Sequence, residues 1–438
     1  MSIATLLEFP TEEANLVPPL PETIEETGLP ASMIEQLILK LLYARGEMLG
    51  RDVSQALGLK FSLVEGIFEM LKHQHSIQVK KSLGMGTSTS VFALTDTGRN
   101  LARETMENNQ YVGPAPIPLY QYTHIVRRQK RADGWLTPAA LAETYRRMVV
   151  TPRILSQIGP AVSSGNSFLI YGQPGNGKTF LAEALGNVDE SCIYVPHALE
   201  CQGQIIQVFD PVYHQPVQDT SQSSVLAFEP QYDQRWTKCR RPFIVTGGEL
   251  TLEMLDLSYN SVSKVYDAPY QLKANNGIYL IDDFGRQQCT PAEVLNRWIV
   301  PMERRVDYLK FHSGSKMTVP FEAFLIFSTN LKPEQLGDEA FLRRIQYKML
   351  LRSPDEKEFT TIFQRFCETH KLPSDNELIS RFIGKHYSTS RKPFRRCHPR
   401  DVLSHAIDLI NFEKLPLKLT DDLLDRAFES CFLEETES

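Results

Sequence analysis

Residues 166–187 read NSFLIYGQPGNGKTFLAEALGN, and this stretch decides the fold of the chain. SFLIY has the pattern of a short buried strand, and TFLAEALG has the pattern of a helix. Between them, GQPGNGKT at 172–179 matches the phosphate-loop pattern GxxxxGK[ST] in the strand–loop–helix context that it requires. Its glycines let the backbone wrap tightly, so that consecutive N–H groups point at phosphate oxygens. The residues predicted to form this cradle are Gly172, Pro174, Gly175, Asn176 and Gly177.

Two side chains at the end of the loop and two later carboxylates predict how a nucleotide and its metal are held. Lys178 is expected to reach the β- and γ-phosphates, and Thr179 to give its hydroxyl to Mg²⁺. GIYLIDDFG at 277–285 is an apolar strand that ends in two acids. Asp282 is expected to orient Mg²⁺ and its waters, and Asp283 to polarise an attacking water as a base. The alternative is a strand that two acidic residues merely cap.

The composition argues against several other classes of protein. The chain has 438 residues, a formal net charge of −6, and 42% hydrophobic and 23% charged residues. These values favour two or three globular domains with no overall attraction to nucleic acid. The seven cysteines include no CxxC pair, so we expect reduced thiols in a cytoplasmic protein rather than disulfides or a zinc site. We find no signal-peptide pattern and no run of ~18 apolar residues that would span a membrane.

The sequence ahead of the phosphate loop divides into three parts. Residues 1–30 are acidic and rich in proline, and we interpret them as a flexible leader, with a strap packed on a domain surface as the alternative. Residues 31–108 predict three helices, a hairpin around a glycine-rich turn and a closing helix, with Ser62 as N-cap of the third helix. Residues 109–135 carry a basic run. They predict a solvated linker or, alternatively, a clamp on a neighbouring subunit or a nucleic acid.

The order of elements at 31–108 resembles the winged helix-turn-helix, which often binds DNA. The third helix of a DNA reader carries Arg, Lys, Asn or Gln into the major groove. Here that helix carries Glu65 and Glu69, and the hairpin adds only Lys80 and Lys81. The region has nine Lys/Arg against eight Asp/Glu, too few net charges to anchor many phosphates. We therefore favour a protein-interaction or packing role and keep DNA binding as the alternative.

Two later segments carry a resemblance to a known family. FEAFLIFSTNL at 321–331 is a buried strand that ends in a polar pair, and LGDEAFLRRIQYKM follows at 336–349. Together with the phosphate loop and the two acids, they resemble the AAA+ superfamily of P-loop ATPases. The resemblance implies that Asn330 is sensor 1, which positions the lytic water. It also implies an arginine finger, Arg344 or Arg343, that reaches the nucleotide bound by the next subunit.

Arg344 is preferred as the finger because the apolar Ile345 follows it, as is usual in the family. The alternative is a surface helix in which the arginines pair with Asp338 and Glu339. A finger that acts on a neighbour implies a homo-oligomer, and the family's usual assembly is a hexameric ring.

The chain beyond residue 352 has helical patterns and resembles the small helical lid of the AAA+ family. FRRCHPRDVLSHAIDLI at 394–410 resembles the sensor 2 segment, which implies that Arg400 touches the bound nucleotide. Arg395 and Arg396 are the runners-up, and a charged helix end without this role is the alternative.

The predicted fold class is α/β. We expect a three-layer α/β/α P-loop NTPase sandwich at 136–352 and a C-terminal helical lid at 353–438, preceded by the small winged-helix-like α+β domain. Residues 295–330 have the helix, hairpin and strand order of MoxR-like AAA+ proteins. One departure from the superfamily is Asp283, where most members have Glu. The shorter acid puts the rate of turnover in doubt, not nucleotide binding.

Residues 188–276 make a longer segment than a minimal AAA+ core needs. CIYVPHALECQGQIIQVF predicts a β-hairpin around the CQGQ turn, and residues 245–276 predict a helix with loops. In related motors such inserts grip a client. Tyr259, Tyr266 and Tyr270 are weak candidates for that role, and ordinary packing is the favoured interpretation for each.

The favoured function is an ATPase that uses ATP and Mg²⁺ at a subunit interface to remodel an unknown protein client, as a chaperone does. The alternative is a nucleotide-switched regulator that binds DNA through its winged helix. A P-loop kinase or a GTPase is a third class, but the sequence has no NKxD-type guanine motif.

Overall fold

A computed structural model describes residues 17–82, 84, 86–132, 134–217, 232–337, 339–389 and 392–432. Residues 17–30 lie against the body of the protein and include α1 (Ile24–Thr27), whose last residue is fully buried. The main-chain N–H of Asp233 donates to the carbonyl oxygen of Pro18 at 3.1 Å. The prediction of a flexible leader is therefore wrong for residues 17–30, which form a packed strap. Residues 1–16 of that prediction lie outside the described part of the chain.

Residues 31–108 have the predicted order of three helices, a hairpin and a closing helix. The elements are α2 (Ala31–Arg45), β1 (Met48–Leu49), α3 (Gly50–Leu57), α4 (Phe61–His73), β2 (Ile77–Ser82), β3 (Ser90–Leu94) and α5 (Asp96–Asn108). The three strands pair antiparallel in the order β1–β3–β2. Helix α4 buries Leu63, Ile67 and Leu71, whose spacing places them on one face. Its N-cap position is Lys60 and not Ser62 as predicted, because the helical backbone already begins at Phe61.

The segment predicted as a solvated linker is structured. It contains β4 (Ile117–Pro118) and α6 (Leu119–Arg128), and α6 buries Tyr122. The hydroxyl of Tyr122 accepts a hydrogen bond from the Nδ2 of Asn275 at 2.8 Å. The solvated interpretation is thus wrong for residues 117–128, because this stretch packs into the body of the protein. Two further helices, α7 (Pro138–Thr144) and α8 (Pro152–Ser164), lead to the phosphate loop.

The phosphate loop joins β5 (Ser167–Tyr171) to α9 (Lys178–Ala184), and an insertion rich in strands follows. The elements after α9 are β6 (Cys192–Pro196), β7 (Ala198–Cys201), β8 (Gln204–Gln207), β9 (Trp236–Arg240), β10 (Phe243–Thr246), β11 (Ser258–Asn260), β12 (Val265–Asp267) and α10 (Tyr270–Lys273). β7 and β8 form the predicted hairpin, with Gln202 and Gly203 at positive φ in its turn. Residues 245–276 were predicted as a helix with loops, which misses the antiparallel pair of β11 and β12. The resulting sheet has the order β11–β12–β8–β7–β4.

The core sheet is fully parallel and has the order β10–β13–β16–β5–β17. The remaining elements of the core are β13 (Ile278–Ile281), α11 (Pro291–Arg304), β14 (Val306–Lys310), β15 (Lys316–Pro320), β16 (Phe324–Thr329), α12 (Glu339–Leu342) and β17 (Tyr347–Leu350). In β5, Phe168 and Ile170 pack against α8 and α9, whereas Leu169 faces the core that contains α11. Since successive strand residues face opposite sides, helices cover both faces, and the predicted three-layer α/β/α sandwich is confirmed.

In the described part of residues 353–432, helices form a separate small core. They are α13 (Glu356–Thr369), α14 (Asn376–Ile383), α15 (His398–Glu413) and α16 (Asp421–Cys431). Phe359 and Phe363 of α13 are fully buried in this core, which matches the helical lid predicted for the C-terminal part. Across the described ranges, no helix is long and apolar enough to cross a membrane.

The strap depends on a buried ion pair, which generates a stability prediction. Arg235 binds Asp233 with Nη2 at 2.8 Å from Oδ2 and donates through Nη1 to the Thr27 carbonyl oxygen at 2.9 Å. Both charged side chains are at most 3% exposed. Arg235→Ala leaves the Asp233 carboxylate buried without its cation, so the free energy of unfolding should fall by about 3–5 kcal/mol.

Chemical denaturation measures this loss, and proteolysis of residues 17–30 should become faster in the same variant. The exposed Arg240→Ala is the matched control and should stay within about 0.5 kcal/mol of the native protein. Equal stability of the two variants would contradict the proposed role of Arg235 in holding the strap.

Candidate functional site

The glycine loop between β5 and α9 has the backbone conformation that the sequence predicts. Gly172, Gly175 and Gly177 have φ angles of +149°, +78° and +80°. Residues with a Cβ avoid such angles. A Cβ on Gly172 would also lie 2.4 Å from the carbonyl oxygen of Leu351. Helix α9 has no side-chain cap among the described residues, so its first N–H groups are left to bind an anion.

The ammonium group of Lys178 lies at the centre of the site. Its Nζ donates to the carbonyl oxygens of Gly172 at 3.1 Å and Gln173 at 3.2 Å. A third hydrogen bond, at 2.6 Å, reaches the Oδ1 of Asn330. The residue is only 6% exposed, so the ammonium is held beside the loop where phosphates are expected.

The charge of Lys178 is balanced by the two acids that follow β13. Burial lowers the pKa of Lys178, and the nearby Arg395 acts in the same direction. Asp283 and Asp282 oppose these effects and favour the charged ammonium. The predicted cation and the two predicted anions therefore share one electrostatic environment, although they lie on different strand–turn units.

Thr179 and Asp282 form the pair that the sequence predicts for a metal. The Thr179 hydroxyl donates to the Asp282 carboxylate, at 2.8 Å from Oδ2 and 3.0 Å from Oδ1. A hydroxyl and a carboxylate are the hard oxygen ligands that Mg²⁺ prefers. With the uncapped start of α9 beside them, these residues fit a metal-bound phosphate group.

Asn330 connects the cation to the second acid. β16 lies between β5 and β13 in the sheet, so the residue that follows β16 comes between the ends of its neighbours. Its Nδ2 donates to Asp283 Oδ1 at 3.0 Å, while its Oδ1 accepts from Lys178. The structure thus brings Lys178, Thr179, Asp282, Asp283 and Asn330 together at the carboxyl edge of the sheet.

A cleft of about 880 Å³ adjoins the loop and extends toward the lid. The residues from 174 to 179, Asp283 and Asn330 line its polar part, and residues 148–150 with Ile362 and Phe366 line its apolar part. The predicted lid arginine, Arg400, also lines this cleft. Its side chain is 67% exposed and pairs with Asp401 at 2.8 Å, so it is free of the core.

The two runner-up arginines have partners inside this chain. Arg396 lines the cleft but donates to the Val149 carbonyl oxygen at 2.7 Å and to Glu358 at 2.8 Å. Arg395 donates to Ser353 Oγ at 2.6 Å. Of the three candidates, Arg400 has the side chain that is most exposed toward the cleft.

Arg343 and Arg344 lie away from the loop of their own chain. The carbonyl oxygen of Arg344 accepts from Ser167, the first residue of β5, whereas the loop follows Tyr171, its last residue. At about 3.3 Å per residue, these two ends of the strand are roughly 13 Å apart. Arg344 pairs with Glu303 at 2.7 Å, and Arg343 is exposed. Asp338, one of the two acids that the alternative interpretation named, lies outside the described residues.

The three tyrosines of the insertion pack as the favoured interpretation expects. Tyr266 is 4% exposed, with Tyr259 at 4.8 Å between ring centroids. Tyr270 contacts the buried Tyr279, with ring centroids 6.2 Å apart.

Sequence reasoning missed two polar residues that support the site. Gln287 bonds the turn that contains the two acids, and Ser353 bonds both Asn176 of the loop and Arg395 of the lid. Neither residue belongs to a motif. Gln287 binds main-chain atoms, and Ser353 binds Asn176, which is distant in sequence. No signal in the sequence alone would have identified them.

The family described as "Domain of unknown function (DUF8689)" matches residues 355–430, within the helical lid. A search of curated protein sequences finds no match. Similar solved structures include NtrX from Brucella abortus, at 12% identity and a TM-score of 0.39, with 71% of this chain and 58% of that chain covered. This chain therefore spans less than two thirds of the NtrX chain.

Two structures from Thermotoga maritima are also similar. Domain III of the replication initiation protein DnaA has 14% identity and a TM-score of 0.36, with 66% of this chain and 96% of that chain covered. The A156S mutant of RuvB has 13% identity and a TM-score of 0.38, with 65% and 70% covered. The class of the core, a P-loop α/β/α sandwich, rests on the strand order and the loop geometry described above.

The contact between the loop and the lid generates a second prediction. A Cβ on Gly175 would lie 2.7 Å from the Cys397 Sγ, and the glycine has a positive φ. Gly175→Ala should therefore combine backbone strain with a clash and lower the free energy of unfolding by about 2–4 kcal/mol. Denaturation of the variant measures the loss.

Gly46→Ala is the matched control, since its φ is +82° and a Cβ there meets no atom within 4 Å. Gly46→Ala should lose only the part of the free energy of unfolding that comes from backbone strain. Adding Cys397→Ala to Gly175→Ala should recover part of the difference. Identical losses in both glycine variants, with no recovery in the double variant, would disprove the clash.

Proposed function

We propose that this protein is an ATPase of the AAA+ class that binds and hydrolyses Mg·ATP in the cleft beside the glycine loop. The observation that carries the proposal is the hydrogen-bonded series Lys178–Asn330–Asp283, next to the pair Thr179–Asp282. It unites a phosphate-binding cation, a polar sensor and a base at the edge of one parallel sheet. These are the parts that phosphoryl transfer to water requires.

The main-chain N–H groups of the loop and the Lys178 ammonium hold the phosphates, in our proposal. Thr179 and Asp282 hold Mg²⁺, which when bound neutralises charge that develops on the phosphate oxygens. Asp283 accepts the proton of the attacking water, and Asn330 orients that water. The Arg400 side chain closes on the nucleotide from the lid side. Asp283 is one methylene shorter than the Glu of most AAA+ proteins. Its carboxylate therefore lies farther from the attacking water, and we expect slow turnover.

Two substitutions separate binding from turnover. Lys178→Ala removes charge-assisted hydrogen bonds worth roughly 1.5–3 kcal/mol, so ATP affinity should fall about 10- to 100-fold. Asp283→Asn removes the base and should lower kcat about 10²- to 10⁴-fold with ATP affinity retained. Equilibrium binding of ATP and phosphate release measure the two effects.

The control is Lys80→Ala, an exposed lysine on the hairpin of the N-terminal domain, which should change neither quantity. Wild-type hydrolysis in Asp283→Asn would remove Asp283 as the base. Unchanged affinity in Lys178→Ala would remove the phosphate role of the loop. Binding of GTP as tight as that of ATP would favour the GTPase class instead.

We propose further that the site is completed by a second copy of the chain, in a ring that is most simply a hexamer. The support is the place of Arg344, at the opposite edge of the sheet from its own loop. An arginine there cannot reach its own nucleotide but can face that of a neighbour. Arg343, exposed beside it, is the second candidate for this finger.

Mixing two inactive variants tests the finger. Arg344→Ala should lose about 10³-fold or more in kcat. The Arg344→Ala variant keeps an intact loop, and the Lys178→Ala variant keeps its Arg344. A mixture of the two should regain activity, because Arg344 of the second variant reaches the loop of the first. Glu303→Ala controls for loss of the internal ion pair and should stay active. A mixture no more active than its components would contradict a finger that acts between subunits.

For the use of this ATPase we propose remodelling of a protein partner in the cytoplasm, by a member of the MoxR-like branch. Seven cysteines, all free, suit a reducing compartment. The helix–hairpin–strand order of α11, β14, β15 and β16 supports the branch. The winged-helix-like assignment of residues 31–108 leaves DNA binding as the second candidate, but α4 carries the exposed Glu65 and the half-buried Glu69, which pairs with Lys72 at 3.5 Å. DNA binding that weakens steeply with salt would favour that candidate.

A further inference from the structure

The turn that follows β13 has an unusual backbone. Asp283 has a φ of +47° and Gly285 has a φ of +106°. Glycine adopts such angles freely, whereas an aspartate does so only at a cost in energy. The direction of the Asp283 carboxylate depends on this backbone, so the surrounding structure must hold it in place.

The side-chain amide of Gln287 makes three hydrogen bonds to the main chain of this turn. Its Nε2 donates to the carbonyl oxygen of Asp282 at 2.9 Å and lies 3.3 Å from that of Asp283. Its Oε1 accepts from the main-chain N–H of Gly285 at 2.7 Å. One amide thus contacts the main chain of both acids and of the glycine that ends the turn.

The same amide connects the turn to the neighbouring strand. Gln287 Nε2 also lies 3.3 Å from the carbonyl oxygen of Gly247, just after β10. On the other side, the N–H of Phe284 donates to the Ser328 carbonyl oxygen at 2.7 Å. The turn is therefore held from both flanking strands. On the β10 side, the Asp282 N–H donates to the Thr246 carbonyl oxygen at 2.8 Å, and Gln287 adds a side-chain contact.

We propose that Gln287 is a positioning residue, which fixes the direction of the Asp283 carboxylate by holding the main chain at positive φ. This inference rests on the proposed ATPase function. Gln287 is half-buried behind the turn, and its amide is directed at main-chain atoms, so it acts through Asp283 and not on the nucleotide. The loop residues that bind phosphate belong to a different strand and helix, so loss of Gln287 should change turnover far more than nucleotide affinity.

The chemistry of the position is specific to an amide. An amide offers an acceptor to the Gly285 N–H and two N–H donors, which three carbonyl oxygens share. Leucine has a similar volume and offers neither. Glutamate at neutral pH keeps the acceptor but places a negative charge against the carbonyl oxygens, which should push the turn away.

The experiment compares Gln287→Leu with Gln288→Leu, its exposed neighbour in the chain, in the full-length protein. Gln287→Leu should lower kcat about 10- to 100-fold, since a displacement of about 1 Å is enough for such a loss. ATP affinity should stay within about twofold of wild type. Added to Asp283→Asn, the substitution should cause no further loss, because Gln287 acts through that carboxylate. Gln288→Leu should match wild type in each measurement.

A readout without nucleotide keeps this test separate from the ATPase proposal. Hydrogen exchange of the Gly285 amide in the nucleotide-free protein should be faster in Gln287→Leu than in Gln288→Leu, because its acceptor is lost. Wild-type kcat in Gln287→Leu, a parallel loss of ATP affinity, or an additive loss with Asp283→Asn would overturn the positioning role. If the wild-type protein hydrolyses no ATP, the proposed function fails on its own. Unchanged hydrogen exchange of the Gly285 amide would, even in that case, overturn the role of Gln287 in holding the turn.

Discussion

The amide of Asn330 joins a cation and an anion that lie on either side of it. It accepts from Lys178 at 2.6 Å and donates to Asp283 at 3.0 Å, so it spaces two opposite charges without letting them pair directly. The arrangement follows from strand order, because β16 runs between β5 and β13 and all three strands end at one edge. A phosphate that attracts the Lys178 ammonium weakens the bond between Lys178 and Asn330. Because Asn330 also binds Asp283, phosphate binding at the loop is linked to the freedom of the Asp283 carboxylate.

The same loop is tied to the helical lid. The N–H of Cys397 donates to the Gly175 carbonyl oxygen at 2.9 Å. Asn176 Nδ2 lies 3.3 Å from Ser353 Oγ, which also accepts from Arg395. These hydrogen bonds join the loop directly to the lid. Under the proposed function, these bonds are the contacts through which a nucleotide at the loop acts on the lid.

The sequence was informative where the determinants of structure are local. The phosphate loop, Lys178 and the strand that ends at Asp282 could be predicted because their function depends on adjacent residues and on strand periodicity. The strap at 17–30 could not, since the side chain that holds it, Arg235, lies about two hundred residues away. Gln287 was missed for a related reason, because it binds main-chain atoms, which leave no pattern in the sequence. That Arg344 lies away from its own loop could also not be predicted, because it depends on the order of the strands in the sheet.

The most direct test of the central claim is a crystal structure of the protein with Mg²⁺ and an ATP analogue that is not hydrolysed. Our account predicts the triphosphate against the N–H groups of residues 175–179, with the metal at Thr179 and Asp282. The Lys178 ammonium should have left Asn330 for the phosphates. A nucleotide bound elsewhere, or an unchanged Lys178–Asn330 contact beside a loop that holds no phosphate, would contradict the account.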